Sequence, residues 1–131
     1  MPEDTRKNGY VSLMKTIYPS CRFEFVANAD GYTLKDLFAD SELQVFNVPD
    51  FITELSVGCC SGISSIKTVR LGANIKRVGE GCFANCKNLT TIYVPNELRK
   101  FEKALLMYTR AKITYCDIGV TDVTDILPKV R

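Results

Sequence analysis

Histidine and tryptophan are absent from this chain of 131 residues. Without histidine the chain cannot build a Ser-His or Cys-His nucleophile from its own residues. The Asp and Glu residues show no acid/base spacing, and no glycine-rich phosphate loop is present; Gly72, Gly79 and Gly81 belong to turns of the pattern described below. Long apolar runs are also missing. The opening stretch, MPEDTRKNGYVSLMKTIYPS, therefore reads as neither a secretory signal nor a transmembrane span. Six cysteines lie at 21, 59, 60, 82, 86 and 116, and no two have CxxC spacing. The sequence thus predicts reduced thiols acting as small hydrophobes, with no metal and no cofactor.

What is present is a pattern used three times. Written from Leu43, Ile66 and Leu89, the copies start 23 residues apart. Their fourth positions are Phe46, Val69 and Ile92, and their sixth are Val48, Leu71 and Val94. The seventh is a breaker each time: Pro49, Gly72 and Pro95. The tenth positions are Ile52, Ile75 and Leu98, the thirteenth Leu55, Val78 and Phe101, and the seventeenth Cys59, Cys82 and Leu105. Apolar residues at four and six, with a polar one between, predict a short strand. The breaker ends it. Positions ten and thirteen turn a second apolar pair inward, and positions sixteen to twenty-one close the coil as a helical turn or bend. One such coil cannot bury its apolar side alone, so neighbours must stack on it.

In this register the pattern resembles the BspA-like leucine-rich repeats. The matching residues are Ile66, Val69, Leu71, Ile75, Val78 and the segment Cys82-Phe83-Ala84-Asn85-Cys86-Lys87-Asn88-Leu89. The resemblance runs from Leu43 to Ala111. It departs in the last copy, where Leu105-Leu106-Met107-Tyr108 replaces the Cys-Phe segment and a proper helix is plausible there. The resemblance implies an α/β repeat fold: a short leucine-rich repeat solenoid with parallel strands and an N-terminal capping helix. Members of this family are often found on cell surfaces. The lack of an export signal here instead predicts a cytoplasmic protein, a mobile-element or phage product, or a virion component, with the Asn88-Leu89-Thr90 sequon unmodified.

The remaining segments are read around the copies, giving one domain over 1–131. Tyr10, Leu13, Met14 and Ile17 form one apolar stripe on a helix over 4–18, capped by Asp4 or Asn8 and stopped by Pro19. Such a helix, within a 1–19 segment, is a lid over the first coil or a partner-binding helix; arrays need end caps, which favours the lid. Residues 20–42 read as a degenerate first coil. In it Cys21–Val26 is a strand, Asn28–Gly31 a turn, and Leu34, Leu37 and Phe38 a short helical face. The three repeats occupy 43–111. Residues 112–131 supply a last strand, with Ile113 and Tyr115 inward, and a cap over Thr121–Leu127 stopped by Pro128. Asp122 and Asp125 are read as first-turn carboxylates rather than a cation site.

A stack of this kind aligns its outward positions into rows. The fifth positions give Asn47, Arg70 and Tyr93, with Glu24 before and Thr114 after. The third give Val45, Thr68 and Thr91. Tyr and Arg favour interface cores, so Asn47, Thr68, Arg70, Thr91 and Tyr93 are the candidate contacts for a protein partner; a solvated strand face would read the same way. A second row, Lys76, Arg77, Arg99, Lys100 and Lys103, is basic but has no interleaved aromatics and no nucleic-acid motif, as expected of a solvated face. Residues 1–65 carry five Lys/Arg against nine Asp/Glu, and residues 66–131 carry twelve against six. That asymmetry points to an acidic partner or to copies stacking head to tail. The leading functional reading is a non-enzymatic protein-protein interaction module. The alternatives are an assembly subunit of a phage virion or other complex, and a small inhibitor of a nucleic-acid-handling enzyme.

Overall fold

The computed structural model describes residues 5–39 and 42–116. Asp4, the segment 40–41 and the whole of the C-terminal cap, including Asp122 and Asp125, fall outside them. The element order is α1 (Thr5–Ile17), β1 (Arg22–Ala27), β2 (Tyr32–Phe38), β3 (Val45–Asn47), β4 (Ile52–Leu55), β5 (Thr68–Arg70), β6 (Arg77–Val78) and β7 (Thr91–Pro95). A 3-10 segment (Asn96–Phe101), α2 (Glu102–Leu106) and β8 (Lys112–Cys116) follow. The chain is thus a mixed α/β repeat structure with an N-terminal helix.

The strands at positions three to five of the copies form a four-stranded sheet in the order β3-β5-β7-β8. All its pairs are parallel and in the register the repeat predicts. Phe46 lies opposite Val69, Val69 opposite Ile92, and Ile92 opposite Ile113. The pairing continues into position six, where the Val48 N–H donates to the Arg70 carbonyl and the Leu71 N–H to the Tyr93 carbonyl. Phe46, Val69 and Ile92 are fully buried, as are Leu55, Ile66 and Leu105. Each such side chain contributes about 1.5–3 kcal/mol by leaving water.

A second sheet, in the order β1-β2-β4-β6, adds strands that the spacing of the copies does not predict. Positions ten to thirteen do more than turn inward, because in the first two copies they also pair as strands, Leu55 opposite Val78. In the third copy the 3-10 segment and α2 take their place, so the departure from the repeat there is helical. Leu98 and Leu105 nevertheless keep their inward positions. A third ladder joins the turns that close the coils. Cys60 N–H donates to the Cys82 carbonyl, Gly62 N–H to that of Ala84, and Asn85 N–H to that of Tyr108.

The expectation of uniformly parallel strands is corrected at the N-terminal end. β1 and β2 are antiparallel, and Leu34, Leu37 and Phe38 lie on a strand rather than a helical face. The cause is the loop Asn28–Gly31. Asn28 Oδ1 accepts hydrogen bonds from the Asp30 and Gly31 N–H groups at 2.7 and 2.8 Å, a tight Asx turn. So short a connection joins only antiparallel neighbours. Glu24 is thereby removed from the predicted outward row and pairs with Asp36 in the other sheet.

α1 is also turned relative to its expected stripe. Met14 and Tyr18 are buried, and Tyr10 and Val11 pack on the core. Leu13 and Ile17 are exposed, and Asn8 lies inside the helix rather than at its cap. Ring geometry sets this rotation: Tyr10 stacks on Phe51 at 4.0 Å and meets Tyr32 edge-on at 5.4 Å. Just beyond the helix, the Tyr18 hydroxyl accepts from the Asn47 N–H at 2.8 Å and donates to the Asn47 carbonyl at 3.3 Å. It thus occupies both outward backbone groups of Asn47 on edge strand β3.

The twentieth residue of every copy is left-handed: Gly62, Asn85 and Tyr108 have φ of 75°, 59° and 61°. Glycine and asparagine tolerate this region, whereas a tyrosine there is strained by about 1 kcal/mol. Tyr108→Asn, which repeats the choice made at Asn85, is expected to stabilise the fold by about that amount, read as a raised melting temperature. The opposite is expected at Gly79, where any Cβ would overlap the backbone of Ser56 and Val57. Gly79→Ala is expected to cost more than about 2 kcal/mol in urea unfolding; an unchanged midpoint would mean that the β6 turn can retreat.

Candidate interaction face

The side of the first sheet facing away from the core is built from positions three and five. Asn47 lies opposite Arg70, Arg70 opposite Tyr93, and Tyr93 opposite Thr114. Beside this row run Val45, Thr68, Thr91 and Lys112, again strand by strand. The predicted contacts Thr68, Arg70, Thr91 and Tyr93 are therefore brought together, all half-buried. Asn47 is in the row but not on the open face: it is only 8% exposed, its backbone is held by Tyr18, and its Oδ1 is buried without a hydrogen-bond partner among the described residues. At the centre, the Arg70 guanidinium lies 4.1 Å from the centroid of the Tyr93 ring. An exposed cation–π pair of this kind contributes about 0.5–1 kcal/mol. It also holds two interface-prone side chains in one fixed arrangement.

The predicted basic row does not form one uniform face. Arg77 belongs to the second sheet and is ion-paired there, its Nε 3.0 Å from Glu54 and its guanidinium 3.3 Å from Asp30. Glu54 in turn accepts from the Thr33 hydroxyl, and Thr33 from the Asn28 amide, which ties the hairpin turn to three strands. The hydrogen bond to Glu54 holds the Arg77 proton more firmly than usual. Arg99 lies over the Tyr115 ring at 3.8 Å and donates to Asn96, and Lys100 lies 5.3 Å from the Phe101 centroid. Lys76 and Lys103 are exposed. Aromatic rings thus accompany the cations after all. The sequence separates Arg99 from Tyr115 by a helix and a turn, which hides their proximity from any periodicity.

The six cysteines, all among the described residues, form no disulfide, and four of them, Cys59, Cys60, Cys82 and Cys86, are buried. Cys59 and Cys60 have their sulfurs 3.8 Å apart, and the Cys86 thiol donates to the Cys60 carbonyl. Burial, before any neighbouring thiol, pushes Cys60, Cys82 and Cys86 up, so each stays neutral well into alkaline pH. Among the described residues no cluster of three or more His, Cys, Asp or Glu is placed to hold a metal ion. Among them, too, no helix is long and apolar enough to cross a membrane.

The in-register strands, the ladders of like residues and the shared left-handed position together define a repeat protein. The family model for the BspA type leucine-rich repeat region matches residues 32–127 in six copies, and the chain belongs to that family. Repeats of this kind generally mediate protein-protein interaction and are typically non-enzymatic. No curated protein and no solved structure matches the chain.

The neutral thiols set a pH dependence. A thiol whose proton is held more tightly in the folded chain contributes stability that is complete below its unfolded value near 8.5 and is lost as pH rises toward the folded one. Tyr18, raised chiefly by burial, acts with the same sign. Stability from urea unfolding is therefore expected to fall between about pH 7.5 and about pH 10, with Cys60, Cys82 and Cys86 unreactive to thiol reagents until the chain unfolds. A flat profile would show that these thiols reach water in the native state.

Proposed function

We propose that this chain is a non-enzymatic interaction module, a short solenoid that binds a protein partner through the outward face of the β3-β5-β7-β8 sheet. The observation that carries the reading is Arg70 laid over Tyr93 in the middle of that sheet. Arg70 makes no ion pair with any described residue, so its charge is available to a partner. Thr68 and Thr91 beside it offer hydroxyls at low conformational cost, and Lys112 and Thr114 extend the face toward β8. Arginine and tyrosine at the centre of a patch, with smaller polar residues around them, is the composition of an interface core.

The test is a double substitution. A tagged wild-type chain is expected to retain a specific protein from the native host. The Arg70→Ala/Tyr93→Ala variant, with its melting temperature little changed, is expected to bind that protein at least about tenfold more weakly. Equal affinity of the two would discard the face.

A further inference from the structure

We infer that the hollow bounded by Lys87, Tyr108 and Arg110 is a second contact site, one that takes an acidic segment of a protein partner. The hollow has a volume of about 390 Å3 and lies where the closing turns of the second and third copies meet; none of the outward row at Asn47, Arg70, Tyr93 and Thr114 lines it. Three observations converge on it.

The first is charge. Lys87 and Arg110 both occupy the twenty-second position of their copies, both are exposed, and neither is ion-paired to a described residue. Among the described residues no carboxylate lines the hollow. The hollow two steps earlier, where the coil over 20–42 meets the first copy, is lined by Leu37, Ile63, Ser64 and Ser65 among others, and no charged residue among the described residues lines it. The repeat geometry alone therefore does not produce a basic corner; these particular residues do.

The second is the tyrosine. Tyr108 displays 75% of its surface, from a left-handed backbone position where the two earlier copies use Gly62 and Asn85. Its side chain makes no hydrogen bond and no ring contact with any described residue. A bulky ring kept in an unfavourable backbone region, mostly exposed and without a hydrogen bond or ring contact to a described residue, is the mark of a residue held for contact.

The third is rigidity. The turn is pinned by hydrogen bonds from the Asn85 N–H to the Tyr108 carbonyl and from the Thr109 N–H and hydroxyl to the Leu106 carbonyl. A site so ordered beforehand loses little freedom on binding.

The shape selects the ligand. A single-stranded nucleic acid needs successive rings along a continuous cationic track. Here one exposed ring lines the hollow together with two cations, and the hollow two steps earlier has no charged lining residue among those described. That arrangement suits two carboxylates of a short acidic peptide, with Tyr108 lying against the chain between them.

The experiment is fluorescence anisotropy with a labelled Glu/Asp-rich peptide, alongside a labelled single-stranded oligonucleotide. Wild type is expected to bind the peptide, more weakly as salt rises. Lys87→Glu/Arg110→Glu is expected to lower that affinity at least about tenfold, and the neutral pair Lys87→Gln/Arg110→Gln to lower it less. Tyr108→Asn is expected to lower it about fivefold while raising the melting temperature, a combination that a merely structural tyrosine would not give. Arg70→Ala/Tyr93→Ala is expected to leave it unchanged, so that failure of this site and failure of the strand face are read separately. Absence of peptide binding, equal binding by wild type and the charge-reversed pair, or tighter binding of the oligonucleotide would each overturn the assignment.

Discussion

The structure depends on one constraint: an apolar residue of one copy has no buried place except against the same residue of the next. Phe46, Val69 and Ile92 are wholly buried because backbone hydrogen bonds set them side by side, 23 residues apart in the chain. A shift of one residue would turn each strand's inward set to solvent. The outward row is fixed by the same bonds. Arg70 meets Tyr93 only because Val69 meets Ile92.

The part of the fold that obeys this constraint was legible in the sequence, and the part that escapes it was not. Register, strand positions, the inward Ile113 and Tyr115 and the helical turn-out of the third copy follow from counting apolar residues against a fixed period. The N-terminal hairpin has no copy to be counted against. The spacing of Leu34, Leu37 and Phe38 fits a helix, and it fits a strand only because the register shifts at Lys35, which leaves Leu34 and Leu37 both inward and Phe38 exposed; the Asx turn at Asn28 decides between them. The second sheet was hidden because two apolar positions three apart do not identify a strand. The rotation of α1 follows from ring contacts with Tyr32 and Phe51, which no helical wheel contains.

The candidate sites divide in the same manner. Thr68, Arg70, Thr91 and Tyr93 share rows because they share repeat positions. Asn47 shares the row too, but the end of the stack takes it out of solvent. Arg77 and Arg99 were grouped by sequence position and separate in space, one into an acidic network on the second sheet, the other onto Tyr115. Charge is thereby segregated. On the second sheet Arg77 is neutralised by Glu54 and Asp30, whereas the first presents Arg70 and Lys112 on strands that carry no carboxylate. The strained Tyr108 had a signal in the sequence, a tyrosine aligned with a glycine and an asparagine, which becomes readable once the left-handed turn is known.

The contact between Tyr18 and Asn47 has a consequence for growth. A parallel sheet made of like units is open to extension at either edge, and an edge strand with free amides recruits further copies. At β3 both outward backbone groups of Asn47 are already engaged by one phenol, and the same Tyr18 ring, just beyond α1, packs edge-on against Phe46. Addition of another molecule from that side would first have to displace a side chain and the helix behind it. Extension in that direction is thus hindered: a hydroxyl and the helix before it stand where a capping repeat stands in other arrays.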